Sequence, residues 1–96
     1  MSAPCPTFGY RVGMELAAAL SPEADEMVRN AWIAFLEGRG LYCGGAGGSA
    51  RLEYVVASEA SQATDGDRAA TRAWLASRRE LRAWQVGGLE DLERAV

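Results

Sequence analysis

From Phe8 to Leu16 every second residue is apolar (Phe8, Tyr10, Val12, Met14 and Leu16), with Gly9, Arg11, Gly13 and Glu15 between them. Successive side chains of an extended chain point to opposite faces, so this alternation predicts a half-buried β-strand. At Ser21-Pro22 the period changes. Serine can cap free helix amides and proline suits the first helical position. Glu23, Asp25 and Glu26 follow in the first turn, where the helix dipole favours negative charge. The spacing predicts a helix whose buried stripe is Ala24, Met27, Val28, Ala31, Phe35 and Leu36. Trp32 flanks that stripe, and Ile33 falls on the polar side beside Asn30 and Glu37. Gly38 and Gly40 end the helix.

Leu41-Tyr42-Cys43 predicts a short second strand that the following glycines terminate. Leu52 to Val56 is a third strand, whose continuous apolar end suits the middle of a sheet. Ala57 to Ala63 is a polar connection. Thr64-Asp65-Gly66-Asp67 matches the acidic form of a capping box, opening a second helix to about Arg79. Its core face is either Ala70, Ala73 and Trp74 or Thr71, Trp74 and Leu75. Arg78 and Arg79 occupy its last turn, where cations complement the dipole. Leu81 to Val86 is the last strand, with Trp84 and Val86 on one face, and Gly87-Gly88 turns the chain into a short tail.

The order strand–helix–strand–strand–helix–strand is that of a split βαβ unit. It predicts an α+β, ferredoxin-like sandwich with two helices on one face of an antiparallel sheet. Right-handed crossovers place the first and third strands centrally and the second and last at the edges. Residues 1–7, with Pro4 and Pro6, read as a flexible arm; residues 8–96 form a single domain with a short C-terminal tail. A chain of 96 residues buries roughly 65% of its unfolded surface and needs no staples.

Charge and side-chain chemistry then narrow the function. Ten arginines, no lysine and thirteen acidic residues leave a net charge of −3, which argues against binding driven by bulk attraction to nucleic acid. There is no histidine, so the commonest general base and metal ligand are both missing. Cys5 and Cys43 form no CxxC pattern, and a reduced cytoplasmic protein is the default expectation. Cys43 as a nucleophile would need a base that the sequence does not identify; a small buried strand residue is the simpler reading. The chain shows no signal peptide and no run of the ~20 apolar residues that a membrane span requires. These features predict a non-enzymatic binding protein with no cofactor, metal or small-molecule substrate, either a monomer or a weak homodimer.

Two segments are candidate contacts for a macromolecular partner. Gly44, Gly45, Gly47 and Gly48 could let a backbone approach a phosphate. They lead into a strand rather than a helix, so a flexible hairpin is the favoured reading, and a tip that orders on a partner is the functional one. In the second helix Arg68, Arg72 and Arg79 lie within about 40° of one another, and Arg82 follows in the next strand. Such a row could meet RNA phosphates or an acidic protein surface; its bland counterpart is a solvated face with local ion pairs to Asp65 and Glu80.

At these same residues the chain resembles a known family. The alternating first strand, a helix ending IAFLEGRGLYCGG and the run DRAATRAWLASRRELRAWQVGGL are similar to the YggL-type family of small bacterial proteins that bind the 50S ribosomal subunit. The likeness extends from Phe8 to about Leu92. Its most specific pieces are Glu37-Gly38-Arg39-Gly40-Leu41 and Asp67-Arg68 followed by Trp74-Leu75. It implies association with the large subunit, through protein or rRNA, and no enzymatic activity, and it assigns no functional residues. Members often begin with a very basic segment and end in an aspartate-aromatic motif; here those places hold MSAPCPT and Leu89-Glu90-Asp91-Leu92-Glu93. The runner-up reading is a small acidic inhibitor or adaptor of another complex, such as an anti-CRISPR-like protein. It is motivated by the net charge and the exposed Ile33.

Overall fold

The structure is a computed structural model that describes residues 8–17, 21–47, 50–58 and 62–92. The elements run β1 (Phe8–Leu16), α1 (Pro22–Gly38), β2 (Leu41–Gly47), β3 (Arg51–Ser58), α2 (Asp65–Ala76), β4 (Leu81–Val86) and β5 (Glu90–Asp91). One antiparallel sheet holds the strands in the order β2-β3-β1-β4, and β5 also pairs with β1. This is the α+β, βαββαβ arrangement expected from the order of elements, with β1 and β3 central. The arm assigned to residues 1–7 lies outside the described residues.

Alternation in β1 does what its period dictates. Tyr10, Val12, Met14 and Leu16 are buried, and they share one core with Leu52 and Val56 of β3, Leu41 of β2, Val28, Trp32 and Leu36 of α1, and Leu75 of α2. The register sets Tyr10 opposite Val56 and Met14 opposite Leu52, so both central strands present their apolar sides to the helices. Each helix starts at the cap its sequence specifies. Ser21 Oγ accepts from Ala24 N, and in the capping box Thr64 Oγ1 accepts from Asp67 N while Asp67 Oδ2 accepts from Thr64 N.

Four expectations are corrected by the packing. First, α1 turns its core stripe onto Val28, Trp32 and Leu36. Trp32 is fully buried rather than flanking, while Met27 is 70% exposed. Position 27 lies ~140° around the helix from position 32 at 100° per residue, so both cannot face one core. Ile33 is exposed as expected. Trp32 stacks on Phe35 and meets Tyr54 and Trp74 in tilted contacts, with ring centroids 6.0, 5.8 and 5.4 Å away; this four-ring cluster joins both helices to β3.

Second, the glycines do not terminate β2. It continues to Gly47, pairing Gly44 with Val55, Gly45 with Tyr54 and Gly47 with Leu52. A Cβ on Gly45 would collide with the Glu53 carbonyl oxygen and Tyr54 Cα, so glycine is what lets β2 and β3 approach closely here. Third, α2 ends at Ala76, not near Arg79. Ser77 caps it, with Oγ donating to the Trp74 carbonyl, and Arg78 folds back with its guanidinium carbon 4.5 Å from the Trp74 ring centre. The last turn of α2 therefore contains no basic residue. Of the two core faces, Thr71 and Leu75 are the buried pair, with Trp74 packed against the core. Fourth, the tail after Gly88 begins with a strand: β5 pairs Glu90 with Gly9 and Asp91 with Phe8. Together β4 and β5 cover one whole side of β1, joined where Gly87 N donates to Arg11 O at 2.8 Å.

Candidate docking surface

The two segments that stand out most in the sequence, Glu37-to-Leu41 and Asp67-Arg68, meet in space. Gly40 leaves α1 with φ +70°, a left-handed conformation that glycine adopts without a Cβ penalty. That turn aims Arg39 at the start of α2, where its Nε and Nη2 lie 3.2 and 3.0 Å from Asp67 Oδ1. Asp67 thus holds the capping box with one carboxylate oxygen and the end of α1 with the other. Behind it, Thr71 Oγ1 donates to the Asp67 carbonyl at 2.8 Å and shares a 2.7 Å hydrogen bond with the buried Tyr10 hydroxyl. Burial raises the Tyr10 pKa, against a lowering by its bond to Thr71. This polar hub is a clasp between helices and sheet.

Arg68 is a clasp of the same kind. Its Nε donates to the Gly87 carbonyl at 2.8 Å, its Nη1 pairs with Asp65 at 2.8 Å, and its side chain is only 19% exposed. It ties the first turn of α2 to the β4–β5 junction. Arg72, on α2, Arg79, in the α2–β4 turn, and Arg82, on β4, are all exposed, and none forms an ion pair among the described residues. The anticipated row of four therefore divides: one arginine holds the fold, and three lie outward along the α2–β4 unit. Because α2 stops at Ala76, Arg79 is placed by the turn and not by the helical angle that grouped it with Arg68 and Arg72.

The glycine segment is divided too. Gly44 and Gly45 are exposed within β2, Gly47 is its last residue, and Gly48 lies outside the described residues. The helix-free face of the sheet carries a groove of about 640 Å³ over Gly13, Gly44 and Gly87, with Arg11, Glu53 and Gln85 among its walls. Its charges are internally paired: Arg11 with Glu90 at 2.8 Å and, more loosely, Arg51 with Glu53 at 3.8 Å. A polyanion gains little from such a balanced surface. The sequence pattern marked Gly9, Arg11 and Gly13 as the polar side of β1 but did not show that the groove existed.

Cys43 is a free, half-buried thiol on β2. Burial pushes its pKa up, which is the opposite of what an activated nucleophile requires. Among the described residues, no cluster of His, Cys, Asp or Glu could hold a metal ion. No helix among them is long and apolar enough to cross a membrane.

These features define a small α+β sandwich in which Asp67, Thr71 and Arg68 lock helices to sheet, while Arg72, Arg79 and Arg82 are exposed and form no ion pair among the described residues. The chain belongs to the YggL 50S ribosome-binding protein family, whose model matches residues 6–93. No curated protein and no solved structure matches it.

Proposed function

We propose that this chain is a non-enzymatic accessory protein that docks on the large ribosomal subunit in the cytoplasm, using Arg72, Arg79 and Arg82 as its main contacts to phosphate or an acidic protein surface. The observation that carries this reading is the family match over nearly the whole chain. The exposure of three unpaired arginines on one structural unit supports the choice of surface. Arginine suits it because its planar, always-charged guanidinium can grip phosphate oxygens in pairs. With a net charge of −3 the molecule as a whole repels RNA, so binding depends on a local patch rather than on overall charge.

The test is co-sedimentation with purified 50S particles at moderate and high salt. Wild-type protein is expected to pellet with the particles and to be released by salt. Arg72→Glu combined with Arg79→Glu is expected to abolish pelleting while leaving the circular dichroism spectrum unchanged. Pelleting that survives this double substitution would move the contact elsewhere; a wild-type protein that never pellets would sink the ribosomal reading.

A further inference from the structure

Among the described residues, β2 is an edge strand that carries no charge, no proline and no bulge. Its outer side pairs with no described strand, and its sequence, LYCGGAG, contains no charge and no proline. Its pairing with β3 is continuous over seven residues, Leu41 with Ser58 through Gly47 with Leu52, without a register shift. Natural edge strands are normally blunted by charge, proline, a bulge or shortness, because their free amides and carbonyls are a template for another strand. The opposite edge is treated differently: β4 carries Arg82, and its pairing with β1 shifts register between Glu15 and Leu16.

We propose that the β2 edge is a self-association surface, and that its occupant is β2 of a second copy of this chain, paired antiparallel about a two-fold axis at Gly44. The sequence of the strand selects that partner. Side chains that share a sheet face must pair with matching parity, and the axis at Gly44 is the arrangement that keeps all seven residues overlapped. Leu41 then lies opposite Gly47, Tyr42 opposite Ala46, Cys43 opposite Gly45, and Gly44 opposite itself. Every large residue of one copy meets a small residue of the other, and no like charges meet.

Tyr42, 49% exposed in the single chain, gains a partner surface on the helix-free face. The two four-stranded paths join into one continuous sheet, an isologous contact that closes at two copies. The proposal does not rest on the ribosomal reading, since it uses none of the arginines.

Sedimentation velocity across a wide concentration range, paired with hydrogen exchange, tests it. The mass is expected to rise from that of the 10.3 kDa chain to twice that value, with alternate β2 amides becoming protected as it does. Gly44→Arg places two cations face to face on the axis, while a Cβ there meets nothing within 4 Å in the single chain. This variant is expected to stay monomeric at every concentration with an unchanged unfolding midpoint. Should it fail to fold, the concentration-dependent protection of wild-type β2 decides alone. A wild-type protein that remains monomeric, a dimer that Gly44→Arg leaves intact, or a dimer whose β2 amides stay unprotected would each overturn the proposal.

Discussion

Asp67 performs two tasks with one carboxylate, capping α2 through Oδ2 and holding Arg39 through Oδ1. Asp67→Ala removes both at once and is expected to lower unfolding free energy by about 1–2 kcal/mol, the range of a lost cap and a partly exposed charged hydrogen bond. Urea titration monitored by tryptophan fluorescence checks this; an effect below about 0.5 kcal/mol, the usual size for an unremarkable surface site, would show that the clasp is incidental. Tyr10 yields a pH prediction. Burial raises its pKa, and burial likewise raises those of Tyr54 and Cys43. A group that holds its proton more tightly when folded stabilises the fold below its unfolded pKa and loses that contribution as pH climbs through the folded value. The ordinary values are 9.0 for the thiol and 10.0 for the tyrosines, so the denaturation midpoint is expected to fall on raising the pH past 9 and further past 10. Tyr10→Phe should flatten the upper part of that fall; an unchanged profile would locate the titration elsewhere.

At the scale of elements, β2 shows two adjacent glycines with different duties. A Cβ at Gly45 collides with the β3 backbone, whereas a Cβ at Gly44 meets nothing within 4 Å. Gly45→Ala is therefore expected to cost about 1–3 kcal/mol through forced separation of the strands, and Gly44→Ala to change stability by less than about 0.5 kcal/mol. Equal effects in thermal unfolding would contradict the close approach. The helices show a comparable division. Both N-termini follow local rules, because a cap involves only a few neighbouring residues. The facing of α1 and the end of α2 depend on the aromatic cluster: Trp32 claims the centre of the core, which leaves Met27 in solvent, and Arg78 leaves helical geometry to cover Trp74.

For the whole molecule, the distribution of charge matters more than its sum. Arg11, Arg29, Arg39 and Arg68 are engaged with Glu90, Asp25, Asp67 and Asp65, whereas Arg72, Arg79 and Arg82 are exposed and form no ion pair among the described residues. If Arg72, Arg79 and Arg82 meet phosphate as proposed, loss of each is expected to reduce the salt dependence of 50S binding by about one unit of slope. Arg68→Gln should instead leave that slope unchanged and lower the unfolding midpoint, because its guanidinium is committed to the Gly87 carbonyl. A change in slope for Arg68→Gln, with stability intact, would return it to the docking surface.

The sequence by itself determined β1 through its alternation, the start of both helices through their caps and, with right-handed crossovers, the central position of β1 and β3, and so the α+β sandwich. Each of these depends on spacing within a few residues or on the handedness of short connections. Tertiary structure alone decided how far β2 runs through its glycines, since a strand without side chains shows no alternation and is held by β3's hydrogen bonds. It decided that β5 exists, because a two-residue strand is stabilised only by the β1 edge it meets. It also separated Arg68 from Arg72: the two look alike on a helical projection. Only the folded chain brings the Gly87 carbonyl, nineteen residues away, beneath one of them and leaves the other in water.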